Sequence, residues 1–398
     1  MKTMSETQIA GLDPRTGQSL CVIVKDGLIA RIEESMSTTD LYLSAGFVDL
    51  QVNGFAGFDL NAEQISAGTV IGLVDAMLAN GVTCFVPTLI TAPEERICRS
   101  LKVIAEARRI HCKAAECIPF VHIEGPHISA VDGYRGAHSA DAVRPPSIEE
   151  FDRWQHAAGG IVGMVTLSPH FSESARYIAG LVSRGIHVAI GHTHASPEQI
   201  QCAVDAGASL STHLGNGIAQ EIPRHRNPIW SQLADDRLTA TFIADGHHLP
   251  KDILKVMLRA KGNARSVLVS DSVGLAGMPA GTYTTAVGGQ VELQPNGRLC
   301  ILGSDLLAGS TASLAQCIGI VVRMTNTPLS DALAMATSNP GRYAGGRGQL
   351  AAGSRADLVR FRWGNELTIE DVWLAGEQVH AAGGGFKSDI GDWVRRGY

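Results

Sequence analysis

The stretch HVAIGHTHASPEQIQCAVDAGASLSTHLGN, residues 187–216, holds in thirty residues the pattern that organises the middle of this chain. An apolar run, His187–Ile190, ends in the polar turn "GHTHAS". Ser196, Pro197 and Glu198 then supply a helix N-cap, a proline suited to the first helical position and an early acid. A stretch of helical period, "QIQCAVDAGA", leads to a second apolar run, Ser209–Thr212, which again ends in a histidine, His213. Strand, polar turn, helix, strand is the signature of a βα unit with parallel strands.

Working outward, the same alternation places strands at Phe47–Val52, Thr83–Leu89, Ile118–Ile123, Ile161–Leu167, Ala240–Ala244 and Val267–Ser270. With the two above, that makes eight. Eight parallel strands with helical crossovers predict an α/β fold, a (β/α)8 TIM-type barrel whose strand C-termini converge on one face. A second helix start, Pro250 before "KDILKVMLRAKG", and the stop at Gly262 agree with this scheme.

Such a barrel takes about 250 residues, and the chain has 398. The remainder sits at the two ends and reads as sheet. "CVIVKDGLIARIEE" (Cys21–Glu34) places an Asp26-Gly27 turn between β-branched runs, a hairpin signal. Near the other end, Ala356–Trp363 and Asp371–Gly383 read as strands, the second bent back at Gly376-Glu377. The expectation is a small β-sandwich domain built from both termini, residues 1–45 plus 345–398, with the barrel, residues 46–344, inserted between them.

Composition narrows the partners. A net charge of −6 without a Lys/Arg run argues against nucleic acid or an anionic membrane surface. No apolar run approaches the roughly 20 residues of a membrane span. The opening "MKTMSETQIAGLDPRTGQ" lacks the apolar centre of a signal peptide, so the cytoplasm is the expected location. The eight cysteines contain no C-x-x-C pair and are read as reduced thiols.

Four strand ends carry chemistry. Glu124 closes the third strand in "VHIEGPH", His192 the fifth, His213 the sixth, and Asp271 the eighth in "VLVSDSVG". Any one of these histidines alone could be a hydrogen-bonded loop residue. Their coincidence with Glu124 at three strand ends fits a divalent metal, which in a hydrolase takes three His/carboxylate ligands and keeps one position open. Asp271 follows an apolar run, where a carboxylate needs a partner. It is read as the base toward water and then the acid toward the leaving group, with a helix N-cap or a buried ion pair as the alternatives.

The ordered set "GFVDLQVNG", "PTLIT", "HIEGPHIS", "RGAH", "TLSPH", "GHT", "STHL", "IADGHH", "LVSDS", "LAGS" and "NPGRYAG" resembles the N-acetylglucosamine-6-phosphate deacetylase family of the amidohydrolase superfamily over nearly the whole chain. That resemblance implies Glu124, His192 and His213 as metal ligands and Asp271 as the catalytic aspartate. It implies His138, in "RGAH", as a catalytic histidine against the scissile carbonyl. Asn216, Gly217, His248 and Gln51 are implied as substrate contacts, as is Arg226 in "RHRNP", with Arg224 as the alternative, which would reach the phosphate, often across a dimer interface. Many amidohydrolases carry His-x-His where this chain has Gln51-Val52-Asn53. An amide is a poor transition-metal ligand, so the expected cofactor is one divalent ion, zinc, with iron as the alternative.

The resemblance therefore implies metal-dependent deacetylation of N-acetylglucosamine 6-phosphate by a homodimer. The alternatives are another N-acyl substrate, such as N-acetylgalactosamine 6-phosphate or an N-acyl amino acid, or a sugar-phosphate sensor without turnover. The chain departs from the family pattern at Gly215 and Gly217-Ile218, in a longer "AQEIPRHRNP", and at His170 and His194. Asp49 is read as a brace for the first strand, Asp245 and His247 as ordering a loop, and Ser304 and Asp305 as part of a connection between "CILG" and "LAGSTASL", with Leu307 and Ala308 packing over the acyl group as the alternative.

Overall fold

The computed structural model describes residues 6–286 and 288–382. The end of the proposed Asp371–Gly383 strand and residues 383–398 lie outside them.

Eight parallel strands form one sheet: β1 (Phe47–Val52), β2 (Val82–Ile90), β3 (Val121–Glu124), β4 (Val162–Leu167), β5 (His187–Ile190), β6 (Leu210–Ser211), β7 (Thr239–Ile243) and β8 (Ser266–Val269). Their spatial order follows their sequence order. The sheet closes where Val52 bridges Ser272 in parallel and the Asp271 N–H donates to the Gln51 carbonyl at 3.0 Å. The Asp49 carboxylate accepts from the Ser270 N–H at the same seam. Val48, Leu50, Val86, Met164, Val267 and Val269 fill the barrel interior. A larger apolar layer, including Phe85, Phe151, Trp154 and Phe242, packs strands against helices.

Most sequence-derived boundaries agree with this arrangement. β1 and β5 match their predicted runs residue for residue. β3 starts at Val121 rather than Ile118, because Ile118 caps the helix Cys112–Cys117 and Pro119 has no N–H to give a sheet. The helix Pro197–Asp205 begins on a full capping box between Ser196 and Gln199.

Strands from both termini make a separate seven-stranded sheet in the order 377–381, 367–374, 358–363, 42–45, 7–12, 19–25 and 28–34. It folds over on itself. Leu28 bridges Arg355, and Ile9, Val22 and Ile29 share an apolar core with Leu358 and Trp373. Asp26 and Gly27, with φ of 54° and 75°, form the predicted hairpin turn.

One element escaped the sequence reading, which treated the stretch around Ser304 and Asp305 as a connection. Strands Gly281–Thr285, Gly289–Leu293 and Leu299–Ile301 form an antiparallel sheet with its own core of Leu275, Val291, Leu293, Leu299 and Ala308. Its return segment, Ser304–Gly309, hangs over the barrel mouth. Among the described residues, no helix is long and apolar enough to cross a membrane.

Candidate active site

Glu124 ends β3, His192 follows β5 by two residues and His213 follows β6 by two, so all three project from the C-terminal face of the barrel. Glu124 Oε1 lies 2.9 Å from His213 Nε2 and 3.4 Å from His192 Nε2. One ligand atom from each residue falls within 4.8 Å of the others, and all three side chains are buried.

The surrounding chain aims these groups. His192 Nδ1 meets the Tyr134 carbonyl at 3.0 Å. A ring that donates there leaves Nε2 as a lone pair facing Glu124, the arrangement that orients a metal-bound imidazole. His213 is anchored by its backbone N–H to Thr241 Oγ1 at 2.7 Å. Its Nδ1 is buried without a hydrogen-bond partner among the described residues. Burial pushes the Glu124 carboxyl upward, but hydrogen bonds and charge from His192 and His213 outweigh this and hold it well below the usual range. A buried carboxylate between two convergent imidazoles is a donor set suited to one divalent ion.

The backbone is strained where the chemistry sits. His192, His213 and Asp271 have φ of 47°, 29° and 47°, in the left-handed region that side chains avoid. Each is the residue that turns the chain out of a barrel strand. Strain of this kind persists only where the surrounding fold over-determines it, and it clusters at functional sites.

Asp271 stands opposite the Glu/His/His group. Its Oδ1 accepts from Asn53 Nδ2 at 2.7 Å. Burial first, and the negative charge of Glu124 second, push its carboxyl up to about 8. A bound cation nearby would draw that value down. His138 Nδ1 lies 2.8 Å from Thr91 Oγ1, and the His138 ring is 4.3 Å from that of His192. Burial pushes His138 down to about 3, so it is a neutral imidazole. The Thr91 hydroxyl also reaches the Glu124 carbonyl at 3.5 Å; when it donates to His138 Nδ1 instead, a proton is left on Nε2.

These groups line a cavity of about 410 Å³, together with Asn216, Gly217 and His248. The His248 ring is oriented by Asp245 at 2.7 Å, so Asp245, read from sequence as a loop brace, touches the site through His248. Burial raises the Asp245 carboxyl, but hydrogen bonding to His248 prevails and brings it to about 2. Gly217, with φ of 58°, lies against His192: a Cβ there would stand 2.7 Å from His192 Nδ1.

Two candidates stand apart from this cavity. Gln51 is buried and meets the site through its backbone carbonyl, which accepts from Asp271. Arg226 pairs with Glu198 at 2.5 Å on the exposed surface, away from the cavity wall of its own chain. His170 and His194, two of the departures from the family pattern, meet each other outside the cavity with ring centroids 4.3 Å apart.

Sequence reasoning left Asn53 and Thr91 without roles. Asn53 had a signal, since it fills a position where many amidohydrolases carry a histidine. Thr91 had none, because its contact with His138 spans 47 residues.

A closed (β/α)8 barrel with a buried Glu/His/His group and an aspartate at its strand ends defines a metal-assisted hydrolase of the amidohydrolase class. The chain belongs to the amidohydrolase family, whose model matches residues 42–379, and within it to the N-acetylglucosamine-6-phosphate deacetylase family. It is 33% identical to the N-acetylglucosamine-6-phosphate deacetylase of Danio rerio, over 85% of this chain and 84% of that protein. It is 30% identical to the N-acetylgalactosamine-6-phosphate deacetylase of Escherichia coli O157:H7, over 89% of this chain and 93% of that one. Among solved structures, a mutant N-acetyl-D-glucosamine-6-phosphate deacetylase of Mycobacterium smegmatis in complex with N-acetyl-D-glucosamine-6-phosphate aligns with a TM-score of 0.84 at 29% identity, covering 94% of this chain and 99% of that one.

Proposed function

We propose that this enzyme hydrolyses the acetamide of N-acetylglucosamine 6-phosphate, yielding glucosamine 6-phosphate and acetate. The observation that carries the reading is the convergence of the buried side chains Glu124, His192 and His213 with Asp271 on one cavity at the barrel mouth.

Glu124, His192 and His213 would hold one divalent metal, zinc in this reading. When bound, it supplies Lewis acidity toward the carbonyl and a water made acidic enough to lose a proton near neutral pH. Asp271, fixed by Asn53 through one carboxylate oxygen, takes that proton on the other and returns it to the amine nitrogen as the C–N bond breaks. His138 donates from Nε2 to the carbonyl oxygen as negative charge develops there. Asn216, the Gly217 backbone and His248 hold the sugar. Gln51, through its carbonyl, fixes the backbone of Asp271.

The phosphate needs a cation, and no Lys or Arg is found among the described residues lining the cavity. This supports a homodimer in which Arg226 of a second copy closes the site. The cytoplasm is its proposed place of work. The small β domain, residues 1–45 plus 345–398, would serve as a scaffold beside the barrel, residues 46–344.

A second reading is deacetylation of N-acetylgalactosamine 6-phosphate. It is favoured by the Escherichia coli relative. Acetate release by metal-replete enzyme tests both, using the two phosphorylated sugars and unphosphorylated N-acetylglucosamine. Preference for N-acetylglucosamine 6-phosphate is the expected result. Activity on none of them would overturn the reading.

A further inference from the structure

A second cavity, of about 560 Å³, lies behind the first, between the barrel mouth and the antiparallel sheet that follows β8. The two cavities share Asn53, Val273 and Ala308, so the partition between them is a single layer of side chains. Asn53 is tied to Asp271. Val273 and Ala308 make only apolar contacts with their side chains. Gly309 gives Val273 its place, since a Cβ at Gly309 would stand 2.4 Å from Val273 Cγ1.

The position of this partition in the barrel matters. The sugar contacts Asn216 and Gly217 follow β6, whereas the partition sits at the ends of β1 and β8. β2 lies across the barrel from β6 and adds Ile90, so Ile90, Val273 and Ala308 form an apolar flank on the side away from Asn216 and Gly217. When the sugar occupies the β6 side, the acyl carbon chain is left facing that flank. Behind it, Leu275 and Leu299 continue the apolar surface. The charged groups of the rear cavity are partly matched, with Arg96 lying 3.5 Å from Glu63.

We infer that Val273, with Ala308, sets the length of the acyl group this enzyme accepts, and that the rear cavity is a binding site for three- and four-carbon acyl chains when the partition is trimmed. This rests on the deacetylase reading above. The chemistry is unchanged: the amide C–N bond breaks, water supplies hydroxyl to the acyl carbon and a proton to the amine, and a longer carboxylate replaces acetate.

The test compares N-acetyl-, N-propionyl- and N-butyrylglucosamine 6-phosphate with the full-length, metal-replete enzyme and with Val273→Ala and Ala308→Gly. Each methylene in an apolar pocket is worth about tenfold or more in discrimination. Either variant should raise kcat/KM for butyryl relative to acetyl by about tenfold or more. Adding Thr284→Phe, which places a ring at the exposed rim of the rear cavity and away from the reaction cavity, should reverse that gain and leave acetyl turnover as it was. An unchanged ratio in variants that still release acetate overturns the inference and leaves the function standing, as does a gain that Thr284→Phe does not reverse. No acetate release from the unaltered enzyme overturns both.

Discussion

Asn53 Nδ2 lies 2.7 Å from Asp271 Oδ1, linking the residue after the first barrel strand to the residue that leaves the eighth. The amide cannot flip, because Asn61 Nδ2 reaches Asn53 Oδ1 at 3.4 Å. Asn61 is itself held by the Thr88 carbonyl and the Ile90 N–H, each at 3.0 Å. Where many amidohydrolases carry a second histidine, this chain has an amide that fixes the Asp271 carboxylate, the proposed base.

Asn53→Ala should therefore lower kcat with little change in KM. A hydrogen bond to a charged group is worth about 1.5–3 kcal/mol, so a loss of about ten- to a hundredfold is expected in steady-state kinetics. A change confined to KM would place Asn53 against the substrate instead.

Metal content follows from the ligand set. Elemental analysis of the replete protein should find about one divalent ion per chain, because the amides of Gln51 and Asn53 do not make a second site. Glu124→Gln or His213→Ala should remove nearly all of it, and chelation of the unaltered enzyme should abolish turnover. Two ions per chain would contradict the mononuclear reading.

Gly217→Ala tests how tightly the loop after β6 is set against His192, a proposed metal ligand. The new Cβ would press on the His192 ring, whose Nδ1 is held by the Tyr134 carbonyl. Disturbing the orientation of a ligand typically costs about ten- to a hundredfold in metal affinity or activity. Gly185→Ala is the control: its φ is 76°, but its Cβ would meet nothing within 4 Å. It should cost stability alone, read as a lower Tm with normal activity.

Asp49 gives a pH-dependent stability. Burial raises its carboxyl to about 7 in the folded protein, above its ordinary value of 3.8. The native state then holds the proton more tightly than the unfolded chain between those values. Stability from this group is fully present below the unfolded value and is lost as pH rises to about 7. Asp49→Asn keeps an acceptor for the Gln51 and Ser270 N–H groups and carries no charge. Its Tm advantage over the unaltered protein should grow from pH 4 to 7 and then level off. A constant difference across that range would mean that Asp49 titrates normally.

Arg226→Ala should raise KM for the phosphorylated sugar by about ten- to a hundredfold, as expected for losing a charged hydrogen bond, and leave the unphosphorylated sugar unaffected. Equal effects on both sugars would assign Arg226 to the fold, through its pair with Glu198.

Much of this is legible in the sequence, and the reason is local. A strand such as His187–Ile190, a capped helix such as Pro197–Asp205 and a turn such as Asp26-Gly27 each satisfy their backbone within a few residues, so their signals lie in short windows. The sheet between 281 and 301 shows the limit. Its strands are only three to five residues long, and their small core is completed by Leu275 and Ala308 from outside the strands.

The sequence by itself determined the barrel, the two-ended β domain and the residue types at strand ends, because periodicity and capping are properties of neighbouring residues. Only the tertiary structure decided which groups touch. The Asn53–Asp271 bond spans 218 residues, the Thr91–His138 contact 47, and the Val273–Ala308 partition joins the exit of β8 to the rim of a later sheet. Contacts of that range are fixed by barrel closure and by how loops pack over the mouth. Both depend on the whole folded chain and leave no periodic trace in its sequence.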